Sequence, residues 1–84
     1  MNKILVSIFD SKAQDYSHPA IMRSPADAIR SFQTEVNTVR DGNMLNTNPE
    51  DFSLHHIADF FPESGEIVPN LLNRLLVTAS SLVS

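Results

Sequence analysis

From Ser24 to Arg40 the chain reads Ser-Pro-Ala-Asp-Ala-Ile-Arg-Ser-Phe-Gln-Thr-Glu-Val-Asn-Thr-Val-Arg, and this segment admits little except one amphipathic helix. Ser24 is a good N-cap, Pro25 suits the first helical position, and Asp27 sits where a capping-box carboxylate reaches back. Ala28, Ile29, Phe32, Val36 and Val39 then recur at helical spacing, giving one apolar stripe. Asp41-Gly42-Asn43 supplies a stop, so the helix is expected to end near Arg40. A helix with a single apolar stripe needs a surface to bury it against, and the flanking segments must provide that surface.

Those segments read as strands. Residues 3–9, Lys-Ile-Leu-Val-Ser-Ile-Phe, are rich in β-branched and aromatic types. Ile4, Val6 and Ile8 share one face and Leu5, Ser7 and Phe9 the other, so this is expected to be a central strand. Residues 10–23 carry loop chemistry (Asp10, Ser11, Ser17, His18-Pro19), with Tyr16, Ile21 and Met22 pinning the loop to the core. Asn43 to Asp51 reads as a polar connector. Phe52 to Phe61 alternates as a second strand, and Pro62-Glu63-Ser64-Gly65 makes a hairpin turn. Glu66-Ile67-Val68 begins a short return strand that Pro69 closes. The expected class is α+β, a small β-α-β-β sheet with one packed helix, in a core domain over residues 1–69.

Residues 70–84 change texture. Asn70 can cap a helix carrying Leu71, Leu72, Leu75, Leu76, Ala79, Leu82 and Val83, an amphipathic C-terminal segment with its own apolar stripe. Two placements stay open: across the domain's own sheet, or against copies of itself as an oligomer interface formed by Leu71, Leu72, Leu75, Leu76, Ala79 and Leu82. A chain of 84 residues without cysteine has a marginal core and no disulfide staple. Small unstapled domains often gain burial by self-association, so a homo-oligomer is expected.

The formal net charge is −4, from 6 basic and 10 acidic side chains. That balance argues against a strongly basic nucleic-acid coat and against electrostatic attachment to anionic lipid. No apolar run reaches the length of a membrane span, and the apolar stretch after Met1-Asn2-Lys3 stops at Asp10, short of a signal peptide. A cytoplasmic location without membrane contact is therefore expected.

Catalytic and metal chemistry find few ingredients. His55 and His56 are adjacent, and neighbours in a strand point to opposite faces, so the pair cannot jointly hold one ion. The bland reading, one histidine packed and one solvated, is preferred to a metal site. The carboxylates Glu50, Asp51, Asp59, Glu63 and Glu66 scatter around turns without an acid–base pair. With only Gly42 and Gly65, neither a phosphate loop nor a nucleophile elbow can form. No cofactor and no enzymatic activity are expected.

Cations are few but grouped. Through Arg40 the chain carries five basic residues (Lys3, Lys12, Arg23, Arg30, Arg40) against four acidic ones; beyond it, Arg74 faces six acids. Lys12, Arg23 and Arg30 could form a mildly positive surface repeated in an oligomer, with Tyr16 and Phe9 as stacking partners for unpaired bases. The plainer alternative places Phe9 in the core and leaves Arg30 and Arg40 solvated on the helix.

Four segments occur together in one family: Ser7-Ile8-Phe9-Asp10-Ser11-Lys12-Ala13, Ser24-Pro25-Ala26-Asp27-Ala28-Ile29-Arg30-Ser31-Phe32, Asn48-Pro49-Glu50-Asp51-Phe52-Ser53-Leu54 and Ser64-Gly65-Glu66. In this order and spacing, over residues 4–69, the chain resembles the small non-structural protein encoded by the fifth open reading frame of gokushoviruses. These are tailless Microviridae bacteriophages with circular single-stranded DNA genomes. The resemblance implies a non-virion, non-enzymatic protein of the host bacterial cytoplasm. It further implies DNA binding and a role in viral genome replication, at the switch to single-strand synthesis for packaging. It carries over no catalytic residues, and the Leu-rich segment after Pro69 departs from the family's more polar tail. The leading expectation is a homo-oligomeric accessory factor for single-stranded DNA, with Lys12, Arg23 and Arg30 neutralising phosphates and Lys3 and Tyr16 nearby. The alternative is an oligomeric interaction or assembly factor that binds a phage or host replication or assembly protein and does not bind DNA.

Overall fold

Alternation along the first strand sends Ile4, Val6 and Ile8 to one face of a curled antiparallel sheet, and the capped helix lies across that face. The computed structural model describes residues 2–84; Met1, the first residue of the expected 1–69 domain, lies outside the described residues. In chain order the elements are β1 (Lys3–Asp10), β2 (Asp15–Tyr16), β3 (Ala20–Met22), α1 (Pro25–Val36), α2 (Met44–Thr47), β4 (Phe52–Phe61) and β5 (Glu66–Thr78). Short 3-10 turns over Pro49–Asp51 and Ala79–Leu82 complete it. The sheet order is β2-β1-β4-β5, with β3 also paired to β1. The expected strand, helix, strand, strand series is present, and β1 is central. The stretch expected as loop adds β2 and β3 to its free edge.

Ser24 caps α1 as expected: its hydroxyl accepts from the Asp27 N–H at 3.2 Å, and Pro25 opens the helix. The far end differs. α1 stops at Val36 rather than near Arg40, and Val39, expected on the buried stripe, is 88% exposed. Two asparagines account for the early stop. Asn37 Nδ2 donates to the Gln33 and Leu82 carbonyls at 3.0 and 2.9 Å, tying the helix end to the chain's last turn. Asn43, itself buried, donates to the Glu35 and Thr38 carbonyls at 2.9 and 2.7 Å. Side-chain amides thus satisfy carbonyls that a longer helix would have paired internally. The core is Ile4, Val6, Ala28, Phe32, Val36, Leu54 and Ala79.

The C-terminal helix expected over 70–84 is not formed. β5 runs through Pro69 to Thr78 and pairs with β4 on both sides of a bulge, so the division between 1–69 and 70–84 falls inside one strand. Backbone satisfaction explains the outcome. Gly65, at φ 76°, closes the hairpin turn with its N–H on the Phe61 carbonyl at 2.7 Å. The returning chain then meets the open edge of β4, whose N–H and C=O groups need partners. Pro69 is tolerated because β5 is an edge strand. The helical-looking leucines consequently divide. Ala79 is fully buried, and Leu76 and Leu82 pack on the core. Leu71, Leu72 and Leu75 are exposed. No single helical stripe of six apolar residues exists to serve as the expected interface.

Residues Asn70 to Asn73 form a wide bulge, because β4 passes from His56 to Ala58 while β5 passes from Arg74 to Pro69. Asn70, expected as a helix cap, instead donates to the His56 carbonyl at 2.8 Å and bridges the gap. Ile57 is also the extra residue opposite β1, which pairs Leu5 with Ala58 and Val6 with His56.

Candidate nucleic-acid interface

The face of the sheet away from α1 carries an aromatic cluster. Register places Ser7 opposite His55 and Phe9 opposite both Ser53 and Tyr16, and residues directly opposite share a face. The Phe9 and Tyr16 rings lie 4.9 Å apart between centroids at 48°, and His55 stands edge-on to both, 6.1 Å from Phe9 and 5.6 Å from Tyr16. Tyr16 is 44% exposed, leaving part of its ring surface open to solvent. Three strands therefore contribute one ring each to a shallow platform.

Local bonds fix the tightest part of this arrangement. The Asp10 carboxylate accepts from the Lys12 and Ala13 N–H groups at 2.9 and 3.3 Å, an Asx turn that reverses the chain after β1. Gln14 takes the left-handed conformation at φ 60°, and its N–H reaches the Asp10 carbonyl at 2.8 Å. Ser17 clamps the other side. Its Oγ accepts from the Ile8 N–H at 3.0 Å, while its carbonyl accepts from Ser7 Oγ at 2.6 Å. Tyr16, between these anchors, is held over Phe9.

His55 lies within hydrogen-bond distance of Ser53 Oγ through Nε2, at 2.9 Å, and its Nδ1 is buried with no hydrogen-bond partner among the described residues. Burial lowers its pKa below the usual histidine value of 6.5. The ring is accordingly neutral near pH 7. His56 is committed elsewhere, 2.8 Å from Asp59 through Nε2. The two adjacent histidines thus serve different partners, as alternation requires.

The predicted cations do not converge. Lys12 sits in the turn beside the platform, where Asp10 and Asp15 are paired across the strands. Lys3 lies at the opposite end of β1. Arg23 is ion-paired with Asp27 at 2.9 Å on the helix side, and Arg30 lines the same shallow depression. The structure therefore joins Tyr16 to Phe9, and Arg23 to Arg30, without merging the two groups. Lys12 stands in the β1–β2 turn with only its backbone N–H engaged among the described residues, by Asp10. His55 is the member sequence reasoning missed. Its signal was the odd-numbered parity shared by Ser53 and His55, which follows from the strand assignment already made.

No helix among the described residues is long and apolar enough to cross a membrane. Neither a curated protein nor a solved structure matches the chain. The family model described as Phage ORF5 protein matches residues 3–82, spanning β1 through the final turn, and the chain therefore belongs to that bacteriophage protein family.

Proposed function

We propose that this phage protein is a non-enzymatic accessory factor that binds single-stranded DNA in the host bacterial cytoplasm, as a homo-oligomer, during viral genome replication. Its place would be the switch to single-strand synthesis for packaging in a gokushovirus-type life cycle. The observation that carries the reading is the Phe9–Tyr16–His55 cluster on the sheet face away from α1, where the Tyr16 ring is 44% exposed. Unpaired bases stack on such surfaces without sequence preference. Lys12 supplies the nearest phosphate partner, while Lys3, Arg23 and Arg30 contact backbone further along or from neighbouring copies. With Asp10 and Asp15 beside Lys12, stacking contributes more than charge, and each copy binds weakly. Multivalency in the oligomer raises the affinity.

Fluorescence anisotropy with a labelled oligothymidine tests the reading. Binding in the micromolar range at low salt, weakened by added salt, is expected. Absence of any binding under those conditions refutes it. A second reading, an assembly factor for a phage or host replication protein without DNA contact, is favoured by the exposed Ile67, Val68, Leu71, Leu72 and Leu75 on β5. It predicts that a pull-down from infected cells recovers such a partner after nuclease treatment.

A further inference from the structure

The bulge in β5 is exposed and apolar, and a cleft with apolar walls opens on the opposite side of the sheet. Leu71 is 102% exposed and Leu72 86%, at the apex of a four-residue bulge on the outermost strand. Two leucines projecting from an edge are an apolar knob with no cover among the described residues. On the other edge, between α1, β1 and β3, lies a cavity of about 150 Å3 with apolar walls from Val6, Met22, Phe32 and Leu54. Of its lining residues Ser17, His18, Ala20, Ser31 and Glu35 are exposed and stand at its opening. An apolar protein cavity of about this size admits a benzene molecule, so the room suffices for the four-carbon side chain of one leucine.

One charged group stands at each place. Arg74 directly follows the bulge and makes no ion pair among the described residues, whereas Glu35 at the cleft mouth bonds Arg40 through one carboxylate oxygen at 3.0 Å. The second oxygen is available to an incoming guanidinium.

We infer that the Leu71–Leu72 bulge of one copy seats in the α1–β1–β3 cleft of the next, with Arg74 meeting Glu35. The inference rests on the homo-oligomer in the reading above and specifies how that oligomer is joined. Knob and cleft occupy different edges, so the contact is heterologous: each copy offers one of each, and assembly proceeds head to tail until it closes into a ring or extends as a fibre. Such an assembly repeats the aromatic platform at a fixed spacing, which a two-fold dimer would not.

Light scattering on the full chain tests this, with two kinds of variant whose changes are all at exposed positions. L71D/L72D removes the knob; S31W, or A20W should the first fold poorly by circular dichroism, blocks the cleft mouth. The wild type is expected to exceed single-chain mass across the micromolar range, and each variant alone to fall to single-chain mass. An equimolar mixture of a knobless and a mouth-blocked variant retains one intact cleft and one intact knob, and should give twice the single-chain mass. Wild type at single-chain mass overturns the oligomer and this inference together. An oligomeric wild type whose variants still associate, or whose mixture stays at single-chain mass, overturns the head-to-tail joint alone. Anisotropy with oligothymidine on the same samples reports DNA binding separately.

Discussion

Replacing Tyr16 by alanine separates the platform's two roles, because the ring contributes both to the fold and to the surface offered to a base. Toward the fold, it lies 4.9 Å from Phe9 and 5.6 Å from His55. Aromatic contacts of this kind are worth about 0.5–1.5 kcal/mol each beyond area burial. Part of the ring is already solvated, so these two contacts together account for a loss near the lower end, roughly 1 kcal/mol, before lost area burial is added. For a domain of this size that contact loss alone lowers Tm by about 4–8 °C. Toward DNA, losing one stacked base costs about 1–3 kcal/mol, which weakens Kd roughly 5- to 150-fold. No charge is removed, so the salt dependence of the remaining binding stays as it was. Y16F keeps the ring and should retain both affinity and Tm. The assays are anisotropy with labelled oligothymidine across a salt series, and thermal unfolding by circular dichroism. If Y16A binds oligothymidine as tightly as the wild type, stacking on this platform is refuted.

Two further changes probe what positions the site. N43A strips the Glu35 and Thr38 carbonyls of their side-chain donor in a buried setting, and should cost about 1–3 kcal/mol in urea unfolding. DNA affinity at a temperature where N43A is folded should be unchanged; a wild-type urea midpoint would show the asparagine to be idle. His55 predicts a pH dependence. Its folded-state pKa lies below the unfolded value of 6.5, so the unfolded chain takes up the proton first. Stability is therefore complete above the unfolded value and falls as pH drops through it, levelling once the folded-state ring is also protonated. H55F should lose less stability than the wild type between about pH 7.5 and pH 5. Equal losses in the two proteins would show that His55 does not carry the effect.

Some of this architecture was legible along the chain because it rests on local chemistry. Ser24, Pro25 and Asp27 mark a helix start whatever surrounds them, and the alternation of Ile4, Val6 and Ile8 marks a buried strand face. The hairpin at residues 62–65 follows from Gly65, which supplies the positive φ the turn demands. The odd-face residues Phe9, Ser53 and His55 could be grouped once β1 and β4 were assigned, although their closeness to Tyr16 depended on the Asx turn at Asp10 and the Ser17 clamp.

Where the helix ended, and what the chain did after Pro69, were decided between distant residues. Asn37 reaches Leu82 and the Ser84 N–H, contacts across 45 and 47 positions that no local pattern encodes. Leu71, Leu72, Leu75 and Leu76 fit a helical stripe as well as a strand, since short apolar runs do not distinguish the two periods. Local sequence determined the capped helix, the central strand and the turn that sends the chain back. The choice of strand for residues 66–78 fell to the unpaired edge of β4, because its backbone groups are satisfied by a neighbouring strand and a helix laid there would leave them open. That choice divides the leucines between the core and the outer edge.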